Sequence, residues 1–187
     1  MALECNTCYF TFGRFQPPTT GHKENFDGLK KAAGSHDYRI YISQTVDKKG
    51  SNPLPPERKL HYMNLMFPEH RGKIYSGPKQ PVAILQDIMM ADYNEVVFLV
   101  GSDRVSAMQF LHKYNGKDFA FRSIRIESSG SRDADGDTFA ISGTKMRRAA
   151  HAMDFKTFRS GIPRALKDKD CRDLMMEIAS NLPANFK

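Results

Sequence analysis

The chain has 187 residues, 40% of them hydrophobic, which is enough for one sizeable core and demands no second. No run of about 18 apolar residues occurs, and no basic segment followed by an apolar stretch opens the chain. Neither a membrane span nor a signal peptide is therefore expected, and the cytoplasm is the expected location. Lys and Arg number 28 against 21 Asp and Glu, a formal charge of +7 that suits anionic ligands. Its aromatic residues lie in apolar runs instead of alternating with basic ones, so a phosphorylated small molecule is a better partner than nucleic acid, which remains the weaker alternative.

Cys5, Cys8 and Cys171 are too few for a disulfide framework, and Cys5 and Cys8 lack a second pair at zinc spacing, so free thiols are expected. Thr7 to Gly13 (TCYFTFG) is short, aromatic and β-rich, a buried first strand. Gly13 to His22 (GRFQPPTTGH) then turns on glycine and proline and opens a helix over Thr20 to Ala33, closed by Gly34. Strand, turn and helix N-terminus in that order converge N–H groups and a positive dipole end, and Arg14 and His22 flank them as donors to phosphate.

Tyr38 to Thr45 alternates as a second strand, and a polar loop follows over Val46 to Asn52. Asn52 to Arg58 (NPLPPER) enters a helix whose apolar face is Leu60, Met63, Met66 and Phe67, stopped by Pro68. Lys73 to Ser76 reads as a short strand, Val82, Leu85, Ile88 and Met89 as a helix, and Glu95 to Val100 (EVVFLV) as a buried parallel strand. That last strand runs into Gly101, Ser102, Asp103 and Arg104 at the start of a helix bearing Val105, Met108 and Leu111; ligands of open α/β sheets bind at such strand ends. Phe119 to Glu127 supplies a final strand.

In the polar loop from Ser128 to Thr138, Asp133, Asp135 and Asp137 imitate a calcium loop. The glycine is misplaced and Thr144 stands where glutamate is needed, so no metal site is expected. Ile141 to Arg147 (ISGTKMR) puts Ser142 at an N-cap and sets Arg147 three residues beyond Thr144 on one helix side. Two hydroxyls, unpaired N–H groups and a guanidinium can then face one polyphosphate; a capped surface helix is the simpler alternative. Phe155, Phe158, Leu174, Ile178 and Leu182 mark a helical, basic tail broken by Pro163 and Pro183.

Taken together, the two polar stretches resemble the signatures of the nucleotidylyltransferase superfamily, (H/T)-x-G-H at Thr19 to His22 and I-S-S-T-x-x-R at Ile141 to Arg147, with Gly143 in place of its second serine. GRFQP, with Asn52-Pro53-Leu54 through Glu57-Arg58, is most similar to the archaeal-type nicotinamide mononucleotide adenylyltransferases, whose first signature histidine is Thr19 here. The resemblance implies an α/β fold: a Rossmann-like, doubly wound parallel sheet over residues 1–150 and a small helical C-terminal extension, 151–187, packed on it. It further implies transfer of AMP from ATP to nicotinamide mononucleotide with release of pyrophosphate, a step of NAD synthesis, with Mg²⁺ as cofactor.

Residue by residue, the resemblance puts His22 at the α-phosphate, Thr19 on a phosphate, and Gly13, Arg14, Phe15 and Gly21 around the nucleotide. Ser142, Gly143, Thr144 and Arg147 would hold the outer phosphates, and Arg58 and Asp103 would meet the acceptor. Since Thr19 is more familiar in cytidylyl and phosphopantetheine branches, CTP or another phosphorylated acceptor is the alternative. A non-catalytic nucleotide- or nucleic-acid-binding protein is the third. Members of the superfamily are often oligomers, so a homo-oligomer is an arrangement the resemblance allows.

Overall fold

Alternation along the strands sends successive side chains into two different apolar layers, and this is what builds the sheet. The computed structural model describes residues 5–129 and 142–186. The strands are β1 (Thr7–Gly13), β2 (Asp37–Ile42), β3 (Ile74–Tyr75), β4 (Glu95–Val100) and β5 (Ser123–Ser128). They lie in the order β3-β2-β1-β4-β5 with every neighbouring pair parallel, the doubly wound arrangement expected. In β4, Val96, Phe98 and Val100 enter one layer and Val97 and Leu99 the other. Both faces are covered, which is why the strand reads as one continuous apolar run.

One layer is filled by α1 (Thr20–Ala33), through Phe26, Leu29 and Ala33, and by α2 (Pro56–Met66). α3 (Pro81–Met90) fills the other with Ile84, Leu85 and Ile88. α4 (Val105–Met108) is a single turn set between 3-10 segments, because the sequence that looked like one helix supplies only Leu111 as a fully buried anchor. α1 ends at Gly34, at φ 59°, whose N–H returns to the Lys30 carbonyl. Pro56 sits at the first position of α2, where its missing N–H costs nothing.

α5 (Gly143–His151), α6 (Phe155–Ser160) and α7 (Asp168–Asn181) pack into the same apolar layer as α1 and α2, through Met146, Phe158, Leu174 and Ile178 among others. Arg58 on α2 reaches α7 through a forked pair with Glu177, 2.9 Å from Nε to Oε1 and 2.9 Å from Nη2 to Oε2. Among the described residues no helix is long and apolar enough to cross a membrane. Cys8 and Cys171 are buried free thiols, and burial pushes the Cys8 thiol up to about 12.

Two strands differ from expectation. β2 stops at Ile42, since the ladder with β1 closes on a bond from Ser43 N–H to the Gly13 carbonyl and the next carbonyls are taken by a side chain. Phe119 and Phe121 are buried ahead of β5, where the Asn115 side chain pins the Phe121 backbone at 2.9 and 3.0 Å; their alternation reports packing and not a ladder. The acidic loop residues Asp133, Asp135 and Asp137, together with Ile141, lie outside the described residues.

Phe158→Ala removes a fully buried ring from the layer shared by α1, α2 and α5–α7. It should lower stability by about 3–5 kcal/mol. Urea unfolding followed by near- and far-UV circular dichroism should remain one coincident transition. Two separated transitions would show that the C-terminal helices fold apart.

Candidate functional site

Strand order reverses at β1, which has β2 on one side and β4 on the other, so a crevice opens beyond the carboxyl ends of β1 and β4. A cavity of about 250 Å³ lies there, walled by Phe12, Phe15, Phe26, Leu99 and Met108 with Arg104 at its margin. Asp103 is exposed on the 3-10 turn Ser102–Arg104 after β4. Its neighbour Arg104 lines the cavity.

The turn from Gly13 to His22 folds tightly beside this crevice. Phe15 takes φ 48°, and its ring returns over Gly13, where a Cβ would come within 2.5 Å of Phe15 Cζ. Only glycine fits that approach. The same ring meets His22 edge-on at 4.9 Å and Phe26 at 5.2 Å. Gln16 is buried and exchanges two bonds with Leu54: its Nε2 donates to the Leu54 carbonyl at 2.9 Å, and the Leu54 N–H donates to Oε1 at 3.0 Å. The segment Asn52-Pro53-Leu54 therefore clamps the turn.

Thr19 and His22 form one unit at the start of α1. The Thr19 N–H donates to His22 Nδ1 at 3.0 Å, and Thr19 Oγ1 lies 3.1 Å from the same nitrogen. With Nδ1 accepting, the neutral ring carries its proton on Nε2, the donor tautomer. Thr19 is 1% exposed, so its hydroxyl is turned to His22 and not outward. Thr20 N–H is taken by the Gly161 carbonyl at 3.0 Å, while the exposed Gly21 contributes an N–H with no partner among the described residues.

α5 brings the second stretch onto the first. Ser142 caps it by accepting from Lys145 N–H at 3.1 Å, leaving the Gly143 and Thr144 N–H groups without partners among the described residues. Arg147 Nη1 donates to the Gln16 carbonyl at 2.7 Å and Nη2 to Thr144 Oγ1 at 3.1 Å. Gly143 is glycine for a steric reason: a Cβ would stand 2.9 Å from the Gln16 carbonyl oxygen. A serine at this position would meet the same carbonyl.

Arg14, Lys59 and Arg147 make the turn rich in positive charge. Burial and the charge of Arg14 both lower the Arg147 guanidinium, Asp47 opposing them, and Arg147 Nε is buried without a hydrogen-bond partner. Lys59, on the buried face of α2 with Tyr62, Met63 and Met66, is fully buried. Its Nζ donates to the carbonyls of Arg14 at 2.7 Å and Ser43 at 2.6 Å. Burial, with Arg14 adding repulsion, pulls its amine down to about 8. Because that lies below the unfolded value, the native state is penalised at neutral pH, on the order of 3 kcal/mol, and recovers as pH rises from about 8 toward 10.5.

Of the residues singled out from sequence, the fold gathers Gly13, Arg14, Phe15, Thr19, Gly21, His22, Ser142, Gly143, Thr144 and Arg147 around the turn. Arg58, expected at the acceptor's phosphate, pairs with Glu177 and donates to the Tyr62 hydroxyl at 3.0 Å, with its side chain 42% exposed. Lys59 was hidden, since lysine is read as solvated; its signal is that positions 59, 62, 63 and 66 form one helical stripe. The one group of potential metal ligands among the described residues is Asp27, Glu69 and His70. Lys23 lies 2.7 Å from Asp27 and 2.8 Å from Glu69, and the His70 nitrogens meet Tyr38 and Asp27 at 3.0 Å each, so the cluster is neutralised internally.

No family model matches the chain, and no curated protein does. Among solved structures, Plasmodium falciparum nicotinic acid mononucleotide adenylyltransferase complexed with NaAD matches with a TM-score of 0.60, at 16% identity over 97% of this chain and 98% of that one. The fold is the same. The complex of that protein with APC matches at a TM-score of 0.54, again at 16% identity and with the same coverage. The shared architecture is the five-stranded parallel Rossmann-like sheet flanked by helices.

Gly143→Ala forces its Cβ against the Gln16 carbonyl and should destabilise the chain by about 1–3 kcal/mol, measured by urea denaturation. An unchanged midpoint would mean that α5 does not press on the turn.

Proposed function

We propose that the chain is a nucleotidylyltransferase. An oxygen of the acceptor's phosphate attacks the α-phosphorus of a nucleoside triphosphate, the bond to the α,β-bridging oxygen breaks, and pyrophosphate leaves with the electron pair. The observation that carries this reading is the 2.7 Å bond from Arg147 to the Gln16 carbonyl, which brings two helix N-termini to one cation-rich turn. The reaction needs no protein nucleophile. It needs two anions held in line and their charge neutralised, which fixed N–H groups, hydroxyls and cations supply.

In this proposal His22 donates from Nε2 to the α-phosphate as charge develops, and Thr19 is the positioning residue that sets its tautomer. The N–H groups of Gly143 and Thr144, the hydroxyls of Ser142 and Thr144, and Arg147 hold the outer phosphates, with Arg14 adding charge. These are partners for an anion and not a carboxylate-built metal site. Mg²⁺ would accordingly be held by the triphosphate's own oxygens and supply charge neutralisation there.

ATP is the donor we favour. Nicotinamide mononucleotide is the acceptor the motifs favour, and nicotinic acid mononucleotide the one named for the Plasmodium falciparum enzyme; the apolar cavity suits the flat ring of either. Thr19 at the first signature position supports a second reading, cytidylyl or phosphopantetheine chemistry at the same site. Pyrophosphate release with Mg²⁺, ATP or CTP, and a panel of acceptors separates them. Release with ATP and a pyridine mononucleotide alone selects the first, release with CTP or phosphopantetheine the second, and silence throughout overturns both.

His22→Ala should lower kcat by about 10²–10³-fold while leaving the circular dichroism spectrum unchanged. Full turnover would remove His22 from the reaction. Arg147→Ala should weaken ATP binding by roughly tenfold or more in calorimetry, and unchanged affinity would detach α5 from the nucleotide.

A further inference from the structure

Lys59 is the buried charge that the chemistry above leaves unused. It is fully buried, its ammonium contacts two backbone carbonyls, and no carboxylate pairs with it among the described residues. The β1–β2 ladder ends on Ser43 N–H to the Gly13 carbonyl, and the next acceptor on each strand's exit, Arg14 O and Ser43 O, is the one Lys59 takes. Two residues on, Arg147 takes the Gln16 carbonyl. Two cations thus occupy the carbonyl side of one turn.

That arrangement has a directional consequence. In a trans peptide the C=O and N–H vectors are opposed, so anchoring the Arg14 carbonyl turns the Phe15 N–H to the opposite side. The Phe15 N–H takes no partner among the described residues. A lysine that served only to tie two loops together could be replaced, in principle, by a neutral donor without a buried charge. Here the charge is kept although Arg14 stands close enough to repel it.

We infer that Lys59 is a positioning residue for a polyphosphate ligand: it aims the Phe15 N–H and holds beneath the Gly13–Gln16 turn a positive charge that the bound ligand compensates. The inference rests on the nucleotide reading of this site. The titratable and charged groups in play are Lys59 from α2, His22 from α1, Arg14 from the turn, Arg147 from α5 and Asp47 from the loop after β2. Asp47 already accepts from Lys49 and Ser51 N–H groups at 3.0 and 3.1 Å.

The probe is inorganic tripolyphosphate, which has no base, ribose or acceptor, titrated into the whole chain by calorimetry in buffers of different ionisation heat. Tripolyphosphate itself gains charge with pH, so simple attraction would strengthen with pH. Coupling to Lys59 does the opposite: binding takes up a proton near pH 8, and affinity falls by about tenfold from about pH 7 to about pH 9.5. Lys59→Gln should bind more weakly at neutral pH and lose both the proton uptake and the fall.

Proton-neutral binding whose affinity holds or rises with pH overturns the inference, as does an unchanged profile in Lys59→Gln. If that variant does not fold, His22→Ala with Lys59 intact decides: proton uptake and the fall in affinity that persist in it keep the inference, and their loss overturns it. No binding of tripolyphosphate by the unmodified chain overturns the nucleotide reading, and the role of Lys59 with it.

Discussion

The guanidinium of Arg147 on the carbonyl of Gln16 is the contact on which the site depends. It crosses from the last third of the chain to the first loop, and without it the two polar stretches would be separate surface features. The bond works only because Gly143 lacks a side chain to block the approach and because Gln16 is held from behind by Leu54. The arrangement is preorganised: donors are fixed before any ligand arrives, so little reorganisation is left for the moment of binding.

The same contact explains the electrostatic imbalance of the region. Elsewhere the fold neutralises its buried and half-buried charges with care, as with Lys23 between Asp27 and Glu69, Arg58 on Glu177, and His70 between Tyr38 and Asp27. At the turn, Arg14, Lys59 and Arg147 instead lie close enough for Arg14 to depress the other two, and the acids of the core are elsewhere. Charge left uncompensated in the protein is charge available to a ligand, at a cost to the stability of the empty chain. The +7 balance read from composition thus acquires a location.

Much of the fold was legible because local and tertiary demands agree. β1 and β4 carry apolar residues on both faces, α1 carries a 3.6 period between Thr20 and its closing glycine, and each appears with the bounds the pattern sets. Where they disagree, the local pattern and the structure part for a physical reason. Phe119 and Phe121 alternate without joining the five-stranded sheet, because the chain there bonds back to Asn115 and Gly116. Leu60 belongs to the apolar composition of α2, yet the buried stripe runs through Lys59, Tyr62, Met63 and Met66. The pairing of Arg58 with Glu177, 119 positions away in sequence, lies beyond the reach of any local pattern.

The sequence by itself determined that a glycine- and proline-rich turn leads from a buried strand to a helix N-terminus, and that a second capped helix carries hydroxyls and an arginine on one side. Both are local properties, set by turn chemistry, capping preference and helical period. Only the tertiary structure decided that these two N-termini meet, that Arg104 lines the cavity beyond β1 and β4, and which carbonyls the buried Lys59 takes. Those outcomes depend on which residues become neighbours across the sheet, and contact between distant segments leaves no periodicity to read.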